Sequence, residues 1–298
     1  MYSKKSRAAV LRDLFRNNRV VVAPAAGDAL GARMVEDAGF EAVVVSGSSM
    51  SNLELGSADV GILSYGELRN NFLNILGATT IPMIVDADTG YGGTLPIYRM
   101  VREYEALDIA GIQIEDQVFP KMCAYYSNTA VVSAEEMVER LRAVFAARSN
   151  PDFFVIARTD AAKSLGFDEA LRRAQIYRNA GADMIFITVP PKAEDMKRIA
   201  ALPFPVCTSV VERTVNEDFT VDQLADMGFK LVKFPQTLIR ASMKAMHDAL
   251  ASLRATGGTK AYRGRIATQK ERGLYTHIGD FSDFQARIGR NSSFTVEE

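Results

Sequence analysis

Short runs rich in Val and Ile recur along the chain, each followed by a polar loop and then by a stretch with helical apolar spacing. The runs are Val20–Ala23, Ala42–Ser46, Met83–Asp88, Ile112–Asp116, Phe153–Asp160, Met184–Val189, Val206–Val210 and Leu231–Pro235. Several of the helical stretches open on capping boxes, with Ser64 paired to Glu67, Ser133 to Glu136 and Thr220 to Gln223. Gly39, Gly111, Gly181 and Gly228 each stand after a helix and just before the next run, where a left-handed C-cap is wanted. Eight alternating units predict a parallel sheet, which closes most simply into a (β/α)8 barrel over residues 1–256, leaving 257–298 as a C-terminal helical extension. A doubly wound open sheet is the alternative. It would want a glycine-rich phosphate turn after the first strand, and Pro24-Ala-Ala-Gly-Asp28 is not one.

Composition narrows the class. The 298 residues are 48% hydrophobic and 24% charged, values of a globular protein with a large core, and a barrel of this length folds as one domain. A net charge of −1 gives no reason to expect a nucleic acid or an anionic membrane as partner. No apolar run approaches the roughly 18 residues of a membrane span, and Met1-Tyr2-Ser3-Lys4-Lys5 leads into an amphipathic segment without a signal-peptide core. Cys123 and Cys207 are too few for a disulfide framework, so a reducing cytoplasm is the expected compartment.

In such a barrel the loops after the strands build the active site. The stretch Pro82-Met-Ile-Val-Asp-Ala-Asp-Thr-Gly-Tyr-Gly-Gly93 ends a run in two carboxylates. If the strand continues that far, Asp86 and Asp88 share a face and suit a hard divalent cation, Mg2+ before others. The plain alternative is an Asp-Thr-Gly turn closing an ordinary strand. The other run ends are also polar: Ser46-Gly47-Ser48, Glu115-Asp116, Arg158 with Asp160, Thr188, Ser209 with Glu212, and Thr237 after Pro235. Charges directly after apolar runs must be paired or bound to something. Three acidic ends and one arginine describe a pocket for a metal and an anion. Arg158 either clamps a substrate carboxylate or bridges internally to Glu115 or Asp160, and both can hold in different states.

Together, Asp86-Ala-Asp-Thr-Gly-Tyr-Gly-Gly93, Ile114-Glu-Asp-Gln117, Lys121-Met-Cys123 and Ile156-Ala-Arg-Thr-Asp160 resemble the isocitrate lyase and phosphoenolpyruvate mutase superfamily. The resemblance implies a (β/α)8 barrel, Mg2+ with Mn2+ as a substitute, and small carboxylate substrates: 2-oxo acids or 2-hydroxy dicarboxylates. It also implies a homotetramer in which paired barrels exchange their C-terminal helices. By the same resemblance Ser46, Gly47 and Ser48 offer donors to a 2-oxo acid carboxylate, with Arg158 as the charged clamp and Thr188, Ser209 and Thr237 completing the substrate site. Asp86, Asp88 and Glu115 surround the metal, Asp88 closest and the others largely through water. Asp59, Asp116, Lys121 and Glu212 back them. Cys123 matches a general acid or base thiol, its pKa lowered by neighbours such as Lys121, and Tyr91 or a metal-bound hydroxide is the candidate base.

The chain also departs from the lyase pattern. Around the thiol it reads Lys121-Met-Cys-Ala-Tyr125 where a histidine is usual at the last position, and Thr188 and Ser209 replace a glutamate and an asparagine. These losses thin the polar contacts for a tricarboxylate. The expected activity is a Mg2+-dependent lyase that cleaves a C–C bond of a 2-hydroxy di- or tricarboxylate of the methylisocitrate or dimethylmalate kind. Two alternatives lie within the fold: a C–P bond enzyme of the mutase or phosphonopyruvate hydrolase kind, and an oxaloacetate hydrolase or decarboxylase. A third, from another class, is a barrel that binds 2-oxo acids without turnover.

Overall fold

The computed structural model describes residues 5–126 and 129–290. The opening Met1–Lys4 segment and the last eight residues of the expected extension lie outside them. Strands β1 (Val21–Ala26), β2 (Val43–Val45), β3 (Met83–Asp86), β4 (Gly111–Glu115), β5 (Phe154–Thr159), β6 (Met184–Ile187), β7 (Val206–Ser209) and β8 (Leu231–Phe234) form a closed parallel barrel in chain order. Every run read as a strand is one, with helices between. β1 continues past the expected end at Ala23 to Ala26, because Pro24 has a φ that extended backbone accepts and gives up only an N–H.

Alternation along the strands makes two apolar layers. Val43, Val45, Val85, Ile112, Ile114, Val155, Ile185 and Val232 face outward and pack against Phe72, Tyr104, Leu141, Tyr177 and Leu224 of the surrounding helices. Each such fully buried side chain contributes about 2 kcal/mol of transfer free energy. Inside the barrel lie Val21, Ala23, Val44, Ile84, Ile156, Met184 and Leu231. The helix Arg7–Asn17 closes the end where the strands begin, inserting Leu11 and setting Phe15 against Phe154, with ring centroids 4.7 Å apart. At the other end the inward positions turn polar: Asp86, Gln113, Arg158, Ser209 and Lys233.

Local signals hold with two differences. The boxes at Ser64 and Thr220 close in both directions, but at Ser133 only the backbone half forms, since the Glu136 carboxylate turns to Arg140 at 2.7 Å. Gly39, Gly181 and Gly228 have positive φ as expected, whereas Gly111 begins β4 in extended backbone. Its role is close approach: a Cβ there would stand 2.5 Å from the Phe154 carbonyl oxygen. Asp108, with φ 60°, makes the left-handed turn instead.

Residues through Leu238 form one compact unit and those from Ile239 a second. The second holds most of the helix Thr237–Thr256 and the helices Gln269–Tyr275 and Ile278–Arg287, with the Tyr262 hydroxyl donating to the Ala245 carbonyl at 3.2 Å. Among the described residues no helix is long and apolar enough to cross a membrane.

Candidate active site

The polar end of the barrel encloses a cavity of about 60 Å3 lined by Ser46, Ser48, Asp59, Asp86, Gln113, Cys123, Tyr125, Arg158, Phe186, Thr188, Ser209, Lys233 and Gln236, among others. Five of the eight strands supply walls through their last residues or the one just beyond. β2 delivers Ser46, which caps the helix Gly47–Leu55, so the N–H groups of that helix's first turn open beside the cavity.

Asp86 and Asp88 converge, though not by strand alternation. β3 ends at Asp86, and Asp88 sits in a turn with φ 47°, bringing its carboxylate back beside Asp86. A Cβ added at Gly47 would lie 3.2 Å from Asp88 Oδ1, 3.3 Å from Lys121 Nζ and 3.7 Å from Asp86 Oδ2, so this glycine leaves the space where those charges meet. Buried Lys121 bridges Asp59 and Asp88, at 2.8 Å from the latter. Arg158 grips Asp160 with two bonds, 2.9 and 3.1 Å, and reaches Glu115 at 3.0 Å, the internal pairing expected of it without a ligand. Thr188 donates to the same Asp160 at 2.6 Å while lining the cavity.

These groups carry an excess of negative charge. Asp59, Asp86, Asp88, Glu115 and Asp160 face Lys121, Arg158 and Lys233. Burial raises the Asp88 pKa to about 6, with Lys121 pulling down and Asp86 and Asp59 pushing up. Burial also lifts Glu115, against the pull of Arg158. Asp88 Oδ1 has the lysine charge nearby but no aligned hydrogen bond, and Glu115 Oε1 has no hydrogen-bond partner among the described residues. Glu115 Oε1, without a partner, and Asp88 Oδ1, held by the Lys121 charge alone, fit a hard divalent cation beside Asp86. Among the described residues no three acidic, thiol or imidazole groups stand close enough together to hold a metal ion by themselves.

Cys123 lines the cavity with 7% of its surface exposed. Its backbone N–H donates to the Asp59 carbonyl at 3.0 Å, and Gln236 Nε2 approaches its Sγ at 3.9 Å. The sequence expectation of a thiol lowered by Lys121 fails. Burial dominates and raises the pKa, with Arg158 and Lys121 only partly offsetting it, since the lysine charge is already matched by two aspartates. The thiol therefore stays protonated at neutral pH.

Other expected residues fall elsewhere. Asp116 points into a fully buried network, accepting from Thr159 Oγ1 at 2.7 Å, the Asp160 N–H at 2.9 Å, Arg173 at 3.0 Å and Tyr177 at 2.8 Å. Thr237 donates to Glu212 at 2.7 Å, and neither is among the cavity walls. Tyr91 packs in the layer outside the barrel and donates to the Asp86 carbonyl at 3.2 Å, and burial holds its pKa far above that of a base at neutral pH. It braces β3 from behind. Sequence reasoning missed Gln113, Phe186, Lys233 and Gln236. The signal was an amide and a lysine inside apolar runs, at inward positions of β4 and β8.

A closed barrel with paired acids, an arginine and a thiol at the strand ends defines a barrel enzyme for small carboxylates. Residues 11–254 match the family model described as phosphoenolpyruvate phosphomutase. The chain is 39% identical over 265 residues to 2,3-dimethylmalate lyase of Eubacterium barkeri, covering 89% of this chain and 92% of that protein. It is 37% identical over 286 residues to 2-methylisocitrate lyase of Aeropyrum pernix, covering 95% and 91%. Among solved structures, phosphonopyruvate hydrolase in complex with oxalate and Mg2+ superposes with a TM-score of 0.85 at 30% identity, covering 95% of this chain and 99% of that one. The chain belongs to the phosphoenolpyruvate mutase family, within the isocitrate lyase and phosphoenolpyruvate mutase superfamily.

Proposed function

We propose that this chain is a Mg2+-dependent carbon–carbon lyase that splits a 2-hydroxy dicarboxylate of the 2,3-dimethylmalate type into a 2-oxo acid and a second carboxylate. The observation that carries this reading is one cavity that brings the Cys123 thiol together with Arg158 and Asp86, with Glu115 paired to that arginine and Asp88 beside Asp86 just behind the wall. A C–C lyase needs a proton donor for the carbanion it makes; a mutase that moves a phosphoryl group from carbon to oxygen within one molecule does not. Thr188 is engaged with Asp160, which leaves one donor fewer for a third carboxylate and favours a dicarboxylate over a tricarboxylate.

Asp88, with Asp86 and Glu115 through water, would hold the cation, and Lys121 bound to Asp59 keeps Asp88 in place. When bound, the cation supplies Lewis acidity at the oxygen that becomes the 2-oxo group. Arg158 turns from Asp160 to clamp the adjacent substrate carboxylate, helped by the N–H groups after Ser46 and by Ser48. As the hydroxyl gives up its proton to a base, its electrons form the 2-oxo group, the bond from the hydroxyl-bearing carbon to its neighbour breaks, and the second fragment leaves as a carboxylate-stabilised carbanion. Cys123 protonates that carbon. Val44, Ala124 and Phe186 keep bulk water from competing for it. The same reading carries a cytoplasmic homotetramer with exchanged C-terminal helices.

The test is product analysis with Mg2+ and 2,3-dimethylmalate, 2-methylisocitrate, oxaloacetate and phosphonopyruvate in parallel. Equal amounts of pyruvate and propionate from 2,3-dimethylmalate are expected. Phosphate from phosphonopyruvate or oxalate from oxaloacetate as the dominant product would overturn the reading, and pyruvate binding with no turnover of any of the four would make the chain a binding protein.

A further inference from the structure

β8 carries Lys233 into the barrel interior, level with Ala23 on one side and Ser209 on the other. Only 3% of the residue is exposed. Its ammonium donates to the Gln113 amide oxygen and stands 3.5 Å from the centroid of the Phe186 ring. An ammonium has three donors, and among the described residues no carboxylate comes within ion-pair distance of this one. A buried charge so placed is costly unless something completes it. Burial lowers the Lys233 pKa, with Cys207, Asp86 and Asp160 pulling it up and Arg158 adding to the fall. Arg158, in contrast, already has Asp160 and Glu115. Of the two cations that line the cavity, Arg158 is in direct ion pairs and Lys233, among the described residues, is in none.

We infer that Lys233, oriented by Gln113 and by the face of Phe186, anchors the second carboxylate of the substrate, so that the site selects dianionic over monoanionic 2-hydroxy acids. This rests on the dicarboxylate reading above. Ala23, its small neighbour on β1, leaves the ammonium free to lean toward the ligand. Phe186 supplies the low-polarity wall that makes the ionic contact strong.

The probe is a matched pair, malate and lactate, which differ by one carboxylate, titrated calorimetrically into the Mg2+-loaded protein. Malate is expected to bind more tightly by at least about tenfold, and Lys233→Met to weaken malate by about thirtyfold while changing lactate by less than about twofold. Lys233→Arg should restore part of the preference, and Lys233→Gln gives the same comparison should the methionine variant not fold. Equal losses for both ligands, or none, overturn the anchor. A mass gain on Lys233 after pyruvate and borohydride would assign the amine to imine chemistry and also overturn it. Because binding is read and not turnover, a protein that cleaves no hydroxy acid yet shows the selective loss would sink the lyase reading and leave the anchor standing. Cleavage with an unchanged malate preference in Lys233→Met would sink the anchor alone.

Discussion

The chemistry of Cys123 depends on a proton it keeps. Burial raises its pKa above the ordinary thiol value of about 8.5, so the acid form persists through neutral pH. If the protonated thiol is the working form, turnover holds flat across neutral pH and falls on the alkaline side only as the thiol loses its proton, while protonation of Asp88 sets the acid limb near pH 6. A pH profile of kcat measures this, and an alkaline limb that begins below the ordinary thiol range would contradict it. Cys123→Ala should lower kcat by about a hundredfold or more while pyruvate binding with Mg2+ is kept, since a positioned acid contributes that much to a proton transfer. Gly47 sits at the opposite extreme, a residue that works by absence. Its α-hydrogens leave the space between Asp88 and Lys121 open, so Gly47→Ala should weaken Mg2+ affinity by roughly tenfold in a titration, with the fold intact by circular dichroism. Neither the height of the thiol pKa nor the crowding at Gly47 was legible in the sequence, because both come from groups distant along the chain, such as Asp59 beside Lys121 and Cys123. Lys233 was legible in principle as a charge inside an apolar run, but attention to strand ends passed over it.

At the scale of elements, the joint between β4 and β5 shows why a strand-end acid need not be a catalytic one. Asp116 follows β4 and ties β5 to the helix Phe167–Asn179, through Thr159, the Asp160 N–H, Arg173 and Tyr177, while Arg173 also bonds the Val132 carbonyl ahead of the helix Ala134–Ala147. It thereby fixes Asp160, on which Arg158 leans. Asp116→Ala would leave Tyr177, Thr159 and the Asp160 N–H without their acceptor and Arg173 with Glu169 alone, a loss of about 1–3 kcal/mol. Urea unfolding measures it; a midpoint shift worth under about 1 kcal/mol would mean that the arginine finds another partner. The eight strands themselves were legible because each is buried on both faces and reads as an apolar run, and the polar residue at the end of a run marked Ser46, Asp86, Glu115, Arg158 and Ser209 correctly as facing the same end. What the pattern could not tell was which way a residue beyond the strand turns. Asp88 comes back to the cavity through a left-handed turn, while Asp116 goes outward to the helices.

For the molecule as a whole, two features of the charge and apolar distributions remain to be satisfied by something outside the chain. The carboxylate excess at the barrel mouth predicts that Mg2+ stabilises the fold by mass action, about 2.7 kcal/mol at a hundred times its Kd, seen as a rise in Tm that Asp88→Asn abolishes. The second feature lies in the unit from Ile239 on. The helix Thr237–Thr256 buries only Ile239 among its residues, and Met243, Met246, Leu250 and Leu253, spaced three or four apart, leave an apolar stripe open, Leu250 with 66% of its surface exposed. Leu274, Phe281, Phe284 and Ile288 extend the open apolar surface through the later helices. A stripe at helical spacing on so long a helix is the pattern of a face that packs against another helix. The exchanged-helix tetramer proposed above would cover this stripe with a second copy of the chain. Light scattering after gel filtration should therefore give a tetramer, and Leu250→Glu, which puts a charge in the middle of the stripe, should shift the mass to smaller species while the far-ultraviolet spectrum of the barrel is kept. A monomer in the unmodified protein, or a tetramer indifferent to that charge, would leave the stripe without the partner assigned to it.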